Sequence, residues 1–364
     1  MTKYLFGDLV KEVKNKVDRD NNPYDYFIAG DHMDTDELHL LRRGVFAGND
    51  VGPAFIRIFK PGQVLYGSRR TYLRKVAVAD FEGVTANTTF VLESKDEKIL
   101  LQRLLPFIMQ ADRFVQHSIK RSKGSTNPYV LFSDLADYEV ELPDIDKQCE
   151  LADLLWAMDD VRMSYQNLIS ATDALVKSQF IEMVGGIPLS SKWEMQPLGK
   201  IGENLDSRRV PITSGSREPG PYPYYGASGV VDYVKDFIFD EDILLISEDG
   251  ANLLARVTPI AFSVSGKVWI NNHAHVMRFS TLAKQKVVEQ YLNSISLSDY
   301  ITGTAQPKLN QEKLNSILIP CVPGELEEQF AAFVQQSDKS KFELEQALSE
   351  LNATYKRIIA ENLG

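Results

Sequence analysis

Residues 137–184, DYEVELPDIDKQCELADLLWAMDDVRMSYQNLISATDALVKSQFIEMV, return in the same order of parts as residues 315–363, NSILIPCVPGELEEQFAAFVQQSDKSKFELEQALSELNATYKRIIAENL. Each copy is a short strand-like run broken by prolines, then a long helical pattern. Adding 179 to a residue number carries Pro128 onto Pro307, Leu135 onto Leu314, Asp159 onto Asp338, Ala174 onto Ala353 and Lys177 onto Lys356. That register holds without a gap over roughly fifty residues, so the chain is built from a repeated unit.

In the first helix the apolar positions Leu151, Leu154, Leu155, Met158, Val161, Tyr165, Leu168, Thr172 and Leu175 advance by alternating threes and fours. Phe330, Phe333, Val334, Ser337, Leu344, Leu348, Leu351, Tyr355 and Ile358 do much the same in the second, with one step of seven from Ser337 to Leu344. This spacing is that of a coiled-coil seam rather than a broad amphipathic face. Helices of about 35 residues would span about 50 Å. Glycine follows each, at Gly185–Gly186 and Gly364, as a C-terminal stop signal should. The plainer alternative is two surface helices on separate domains. Equal seams at corresponding places in a repeat instead predict two long helices packed on each other.

Ahead of each helix stands the same punctuation, GSTNPYVL at 124–131 and GTAQPKLN at 303–310. The parts before it, 1–127 and 187–306, are strand-rich with turn clusters (KPGQVLYGSRR, TSGSREPGPYPYYGASG), and each carries a helix-like stretch near its end. They resemble one another only weakly: GQVLYGS against EDILLIS, TANTTFVLES against NNHAHVMRFS. The expected fold class is therefore α+β, an internal repeat of variable strand-rich domain and long helix.

With 364 residues the chain exceeds one ordinary core, and 25% charged and 44% hydrophobic residues suit a globular protein. No apolar run is long enough to cross a bilayer, and MTKYLFGDLVKEVKNKVDRD lacks a signal-peptide core, so the expected address is the cytoplasm. Cys149 and Cys321 are too few for a disulfide framework or a cysteine-built zinc site. A net charge of −10 excludes a protein that holds nucleic acid by bulk charge, so any such role needs local basic patches or a partner's charge.

Several fragments imitate catalytic motifs. NPY at 22–24 and 127–129 lacks the second proline of the amino-methyltransferase tetrapeptide, and no glycine-rich loop for S-adenosylmethionine follows a strand. SGKV at 265–268 lacks both the upstream glycine and the hydroxyl residue of a phosphate loop. His273 and His275 in NNHAH have no third ligand at a suggestive spacing, and as alternating strand residues should point to opposite faces. PDIDK at 143–147 reads as a strand terminator, Pro143, followed by a helix N-terminal acid, Asp144. No catalytic residue and no metal site is expected.

The candidates for touching DNA are local. Arg69, Arg70, Arg74 and Lys75 cluster in GSRRTYLRK, Lys120, Arg121 and Lys123 in IKRSKGS, and Arg208 and Arg209 in DSRRVPI. Such side chains in loops suit phosphate contacts and, as bidentate forks, base edges. The loops YPYYGASG and EDGANLLAR add Tyr222, Tyr224, Tyr225 and Asn252, and His273 is placed with them. Each has an alternative as solvated charge or core aromatic.

The ordered set LGKIGENLDSRRVPI, YPYYGASGVVDYV, ILLISEDGAN, KVWINNHAHVMRF, GTAQPKLN and LIPCVPGELEEQFAAFVQQSDKSKFELEQAL resembles the specificity subunit of type I restriction-modification systems. YLRKVAVADFEGVTANTTFVLES and GSTNPYVLFSDLADYEVELP resemble a second recognition domain of that family. The usual Trp before "LG", present as Trp193, has no counterpart near Lys3 and Tyr4. The resemblance implies two target recognition domains, 1–143 and 187–323, and two spacer helices, 144–186 and 324–364, paired as antiparallel coiled-coil helices about a pseudo-two-fold axis. It implies a bipartite double-stranded DNA target, with half-sites centred about one turn, roughly 34–36 Å, apart, and helix length as the ruler. No cofactor is implied for this chain. S-adenosylmethionine belongs to two methyltransferase subunits, ATP and Mg²⁺ to restriction subunits. Pro128, Gln306, Pro307 and Lys308 in the repeated punctuation are the candidates for docking the two methyltransferase copies. A methylation-only or regulatory system, a one-chain enzyme and a scaffold without a DNA role remain the alternatives.

Overall fold

In this computed structural model the described residues are 2–49, 51–185, 192–303 and 306–363. Gly186, Gly364, Thr304 and Ala305, named above in the stop signals and the second punctuation, lie outside them. The chain forms two compact units, Met1–Gln166 with Gln346–Gly364, and Asn167–Glu345.

The first unit holds strands β1 (Thr2–Leu5), β2 (Val10–Glu12), β3 (Tyr26–Ile28), β4 (Gly44–Val45), β5 (Phe55–Phe59), β6 (Val64–Gly67), β7 (Val76–Val78), β8 (Gly83–Ala86), β9 (Thr89–Ser94) and β10 (Glu139–Leu142). Its helices are α1 (Phe6–Leu9), α2 (Leu105–Gln110), α3 (Asp112–Arg121) and α4 (Phe132–Ala136), with the start of α5 (Ile145–Val184). The second unit repeats the order: β11 (Met195–Pro197), β12 (Glu203–Asn204), β13 (Pro219–Gly226), β14 (Gly229–Val234), β15 (Phe239–Asp240), β16 (Ile243–Ser247), β17 (Ala261–Val264), β18 (Lys267–Ile270), β19 (Ala274–Arg278) and β20 (Leu318–Pro320). Its helices are α6 (Leu198–Ile201), α7 (Asn252–Ala255), α8 (Leu282–Ser294) and α9 (Gln311–Ser316), with the later part of α5 and the first half of α10 (Gly324–Leu363).

The repeat extends through the sheets. The first unit has sheets ordered β2-β9-β6-β7, β4-β3-β8-β5 and β1-β10; the second has β12-β19-β16-β17, β14-β13-β18-β15 and β11-β20. Every strand of the first maps to the strand ten places later. Even the parallel pairing inside an otherwise antiparallel sheet recurs, as β3 with β8 and β13 with β18.

Central strand β16, ILLIS, is buried along its whole length, and its alternation explains why the run is continuously apolar. Leu244 and Ile246 face a core with Met277, Leu292, Leu309, Leu314 and Phe330. Ile243 and Leu245 face a second core with Phe239, Val268 and Val276. A strand covered on both faces needs no polar side, and each such side chain contributes roughly 1.5–3 kcal/mol. Strand β6 divides likewise, Val64 and Tyr66 to the helical side, Leu65 to the other.

The long helices begin as their sequences require. Asp144 accepts from the Lys147 amide at 2.9 Å, capping α5 just beyond Pro143. Gln148 fastens that first turn, donating to Ile99 O and accepting from Leu101 N. In the second unit the helix segments run antiparallel, because Asp173 meets Lys341 while the later Phe180 meets the earlier Phe330. In the first unit Arg162 reaches Asn352 at 2.7 Å and lies over the Tyr355 ring.

The seam expected on α10 faces inward or is half-buried at every position, but that on α5 splits in two. Leu151, Leu155 and Met158 are buried, whereas Leu154, Val161, Leu168 and Leu175 are 43–52% exposed, a stripe with a seven-residue step. The inward face is completed by polar residues that an apolar period does not count. Asp159 and Arg162 pair with each other, and Asp159 also holds His39 at 2.9 Å. That hydrogen bond raises His39 above the usual imidazole range although burial works against it.

Candidate nucleic-acid interface

Each punctuation segment closes a small loop on the end of a central strand. Lys123 pairs with Tyr129, and Thr302 with Lys308, as isolated antiparallel bridges. The glycine after the first bridge residue has positive φ in both, 86° at Gly124 and 82° at Gly303, a conformation that only glycine adopts freely. At Gly303 a Cβ would also meet Gln306 O at 2.5 Å.

Both loops dock by the same backbone bonds. In the first unit Ser68 N donates to Thr88 O (3.1 Å), Val130 N to Ser68 O (2.9 Å) and Arg70 N to Pro128 O (2.6 Å). In the second Glu248 N donates to His273 O (2.9 Å), Leu309 N to Glu248 O (2.8 Å) and Gly250 N to Pro307 O (3.1 Å). Arg69 bridges Tyr129 as Asp249 bridges Lys308. The two loops therefore share one backbone arrangement with different side chains.

Several predicted contacts are taken up inside the units. Arg74 donates to Asp36 (2.5 Å), Asp112 (2.7 Å) and Gln110 O (2.8 Å). Arg256 does comparable work in the second unit, bonding Leu292 O and Ile295 O at the end of α8, and both arginines end a helical turn with positive φ. Arg74 thus has a structural office shared with Arg256, and burial lowers the Arg256 pKa. Lys75 bonds Gly30 O. Arg121 pairs with Asp137 and Lys123 with Asp134 (2.7 Å). Arg208 pairs with Glu241 (2.6 Å) over the Phe239 ring. Tyr224 is 1% exposed, its hydroxyl bonded to Ile212, so it is core and cannot stack on a base. Tyr225 is half-buried against Phe262, Tyr222 packs edge-on against Phe237, and Asn252 exchanges two bonds with Thr258.

His273 precedes β19 and faces Asp249 at 2.9 Å; His275, inside the strand, is buried. Its Nδ1 lies 2.6 Å from Asp206 and its Nε2 2.7 Å from Leu309 O, so both ring nitrogens face acceptors. Glu248 is the third member of the cluster, a grouping that sequence spacing concealed because residues 206, 248 and 275 are distant in the chain. Arg209 enters the same cluster at 2.7 Å from Glu248 and 3.5 Å from Asp206. Burial would raise both carboxyls, but His275 and the Val276 amide hold Asp206 low, and Arg209, His275 and Lys308 hold Glu248 low. With the carboxylates paired and the imidazole bonded at both ends, the donor set fits an internal ion network rather than a metal. It also pins the second punctuation loop, through Leu309 O and the Lys308–Glu248 pair at 3.2 Å. Pro307 is buried there, while Gln306 is exposed.

Arg69 and Arg70 are exposed, and among the described residues neither has a carboxylate partner. Arg69 lies 5.9 Å from the Tyr129 ring. Nearby in sequence Tyr72 is exposed, and Thr71 bonds Ser122 at 3.2 Å, just beyond the last turn of α3, which carries Lys120. Tyr72 and Tyr129 were not among the candidates, since nothing in the sequence places 129 beside 69.

The sequence matches the type I restriction modification DNA specificity domain family over residues 42–169 and 190–352. The chain belongs to that family. It is 33% identical over 133 residues to a putative type I restriction enzyme specificity subunit, S.HindORF215P, of Haemophilus influenzae, covering 36% of this chain and 34% of that one. It is 22% identical over 188 residues to the type I restriction enzyme HindI specificity subunit of the same organism, covering 49% and 40%. The matches thus span about a third to two-fifths of the length of these curated relatives. The fold is similar to a type I restriction-modification S subunit from M. genitalium, with a TM-score of 0.61 at 15% identity, covering 100% of this chain and 96% of that one. A second likeness, at 0.53 and 14% identity over 99% and 97%, is to a chain from a study of assembly and conformational transition in the type I system.

Proposed function

We propose that this chain is the DNA-specificity subunit of a type I restriction-modification assembly, each unit recognising one half of a bipartite duplex target. The observation that carries the reading is the duplicated ten-strand topology, joined to two long helices, in a member of the DNA specificity family. A chain that presents the same scaffold twice with different loops is suited to reading two different half-sites. The chain itself is non-catalytic in this reading and holds no cofactor. Partner subunits supply S-adenosylmethionine-dependent adenine methylation, which needs base flipping, and restriction subunits supply ATP- and Mg²⁺-dependent cleavage. Among the described residues no helix is long and apolar enough to cross a membrane, and the proposed site of action is the cytoplasm, where the DNA is.

The docking surfaces for two methyltransferase copies are proposed at the punctuation loops, around Pro128 and around Gln306, Pro307 and Lys308, and on the α5 stripe. The seven-residue step of that stripe suits a partner helix.

The test is to produce the chain with its cognate methyltransferase subunit in a host without adenine methylation and map N6-methyladenine across the genome. A split motif with a constant gap is expected. No new motif from a verified complex would sink the reading in favour of a scaffold or an inactive subunit.

A further inference from the structure

We infer that the Ser68–Arg70 turn, backed by the Tyr129 ring, forms a sequence-independent clamp on the DNA phosphate backbone, built into the first unit and absent from its counterpart in the second. The inference rests on the DNA-specificity reading above.

The matched backbone bonds superpose Ser68, Arg69 and Arg70 on Glu248, Asp249 and Gly250. The third position has positive φ in both, 49° at Arg70 and 106° at Gly250. Glycine takes that conformation without strain, whereas an arginine does so at a cost. The strain is borne by a residue whose guanidinium is exposed and has no acid partner among the described residues. Such strain is a reason to look for a ligand.

The charges around the two turns are opposite. Arg69 and Arg70 stand beside Tyr129, with Lys120 at the end of the neighbouring helix. In the second unit Asp249 is bonded to His273, and Glu248 is taken up by Arg209 and Lys308. Lys120 itself becomes Asp299 under the 179-residue shift.

Two water-exposed guanidinium groups, without a carboxylate partner among the described residues and one of them over an aromatic ring, fit a fully ionised, solvated anion, and the DNA backbone supplies a row of them. Reading bases is a task both units share, so a turn whose charge is reversed between them suits positioning rather than reading. The clamp also answers how a chain of charge −10 approaches a polyanion: Arg69 and Arg70 stand where no carboxylate among the described residues neutralises them.

The experiment uses the chain assembled with its methyltransferase subunits and a random-sequence duplex, with affinity followed as salt rises from about 50 to about 200 mM. In Arg69→Ala/Arg70→Gly, which places in the first unit the glycine of the second, the slope of log K against log salt should become shallower by about two. The methylated motif should keep the same bases in both halves. Arg69→Lys/Arg70→Lys should keep the wild-type slope. An unchanged slope in the Ala/Gly variant overturns the clamp, as does altered base preference in one half-site, which would make the turn a reader. Loss of the methyltransferase subunit with an unchanged slope would assign the patch to a protein partner instead. Failure of the wild-type complex to bind duplex or leave a motif would sink the specificity reading itself.

Discussion

Asp206 and His275 together join three distant pieces of chain. Asp206 accepts from His275 at 2.6 Å and from the Val276 amide at 2.8 Å, and Arg209 stands 3.5 Å away. His275 in turn holds the Leu309 carbonyl, so the punctuation loop is fastened to the sheet through a buried carboxylate–imidazole–carbonyl chain. Asp206→Asn removes one of the two carboxylates that face Arg209 and His275, and with Glu248 still 2.7 Å from Arg209 a cost of about 2 kcal/mol is expected in denaturant unfolding near neutral pH. Since folding lowers the Asp206 pKa, the native carboxylate contributes above its unfolded value, about 3.9, and loses the contribution as pH falls through the folded value. The gap between wild type and variant should therefore close in acid; a gap independent of pH would show that packing rather than charge fastens the loop. The arginines teach a related lesson. Arg69, Arg70 and Arg74 are near neighbours in sequence and look alike, yet Arg74 is clamped by two aspartates while the other two have no carboxylate partner among the described residues, because only Arg74 follows the turn that aims it back into the fold.

At the scale of elements, α5 carries two stripes where a single seam was expected. Leu151, Leu155 and Met158 pack inward alongside the paired Asp159 and Arg162, leaving Leu154, Val161, Leu168 and Leu175 in solvent. The same shift of 179 places Phe333, Ser340, Ala347 and Thr354 on α10, so the outward stripe belongs to α5 alone. Leu168→Lys/Leu175→Lys removes apolar surface that nothing in the described residues covers. Unfolding of the chain should change by no more than about 0.5 kcal/mol, while the methyltransferase subunit should be lost on co-purification; full retention would remove the stripe from the docking surface. The ends of the helix were more legible than its face. Pro143–Asp144 marks the start of α5 directly in sequence, and at the other end the Trp193 indole donates to the Val184 carbonyl at 2.6 Å.

At the scale of the whole molecule, the two units are one topology written with different residues. Replacing 1–127 by the corresponding part of another family member should alter one half of the methylated motif and leave the other half and the gap unchanged; replacing 187–306 should do the converse. A change in both halves from either replacement would mean that the units do not read independently. The sequence by itself determined the repeat, the two long helices, the capping of α5 and the family, because helix periodicity, proline and capping residues act locally and survive in the residue order. It also marked the loops where unpaired cations occur. Only the tertiary structure decided that all ten strands recur, which arginines are consumed by carboxylates, and which stripe of α5 faces outward. A sheet tolerates almost any apolar residue that alternates correctly, so the two scaffolds could lose their likeness in sequence while keeping their register, and an ion pair between residues 206 and 275 or 74 and 36 leaves no mark on the spacing of either.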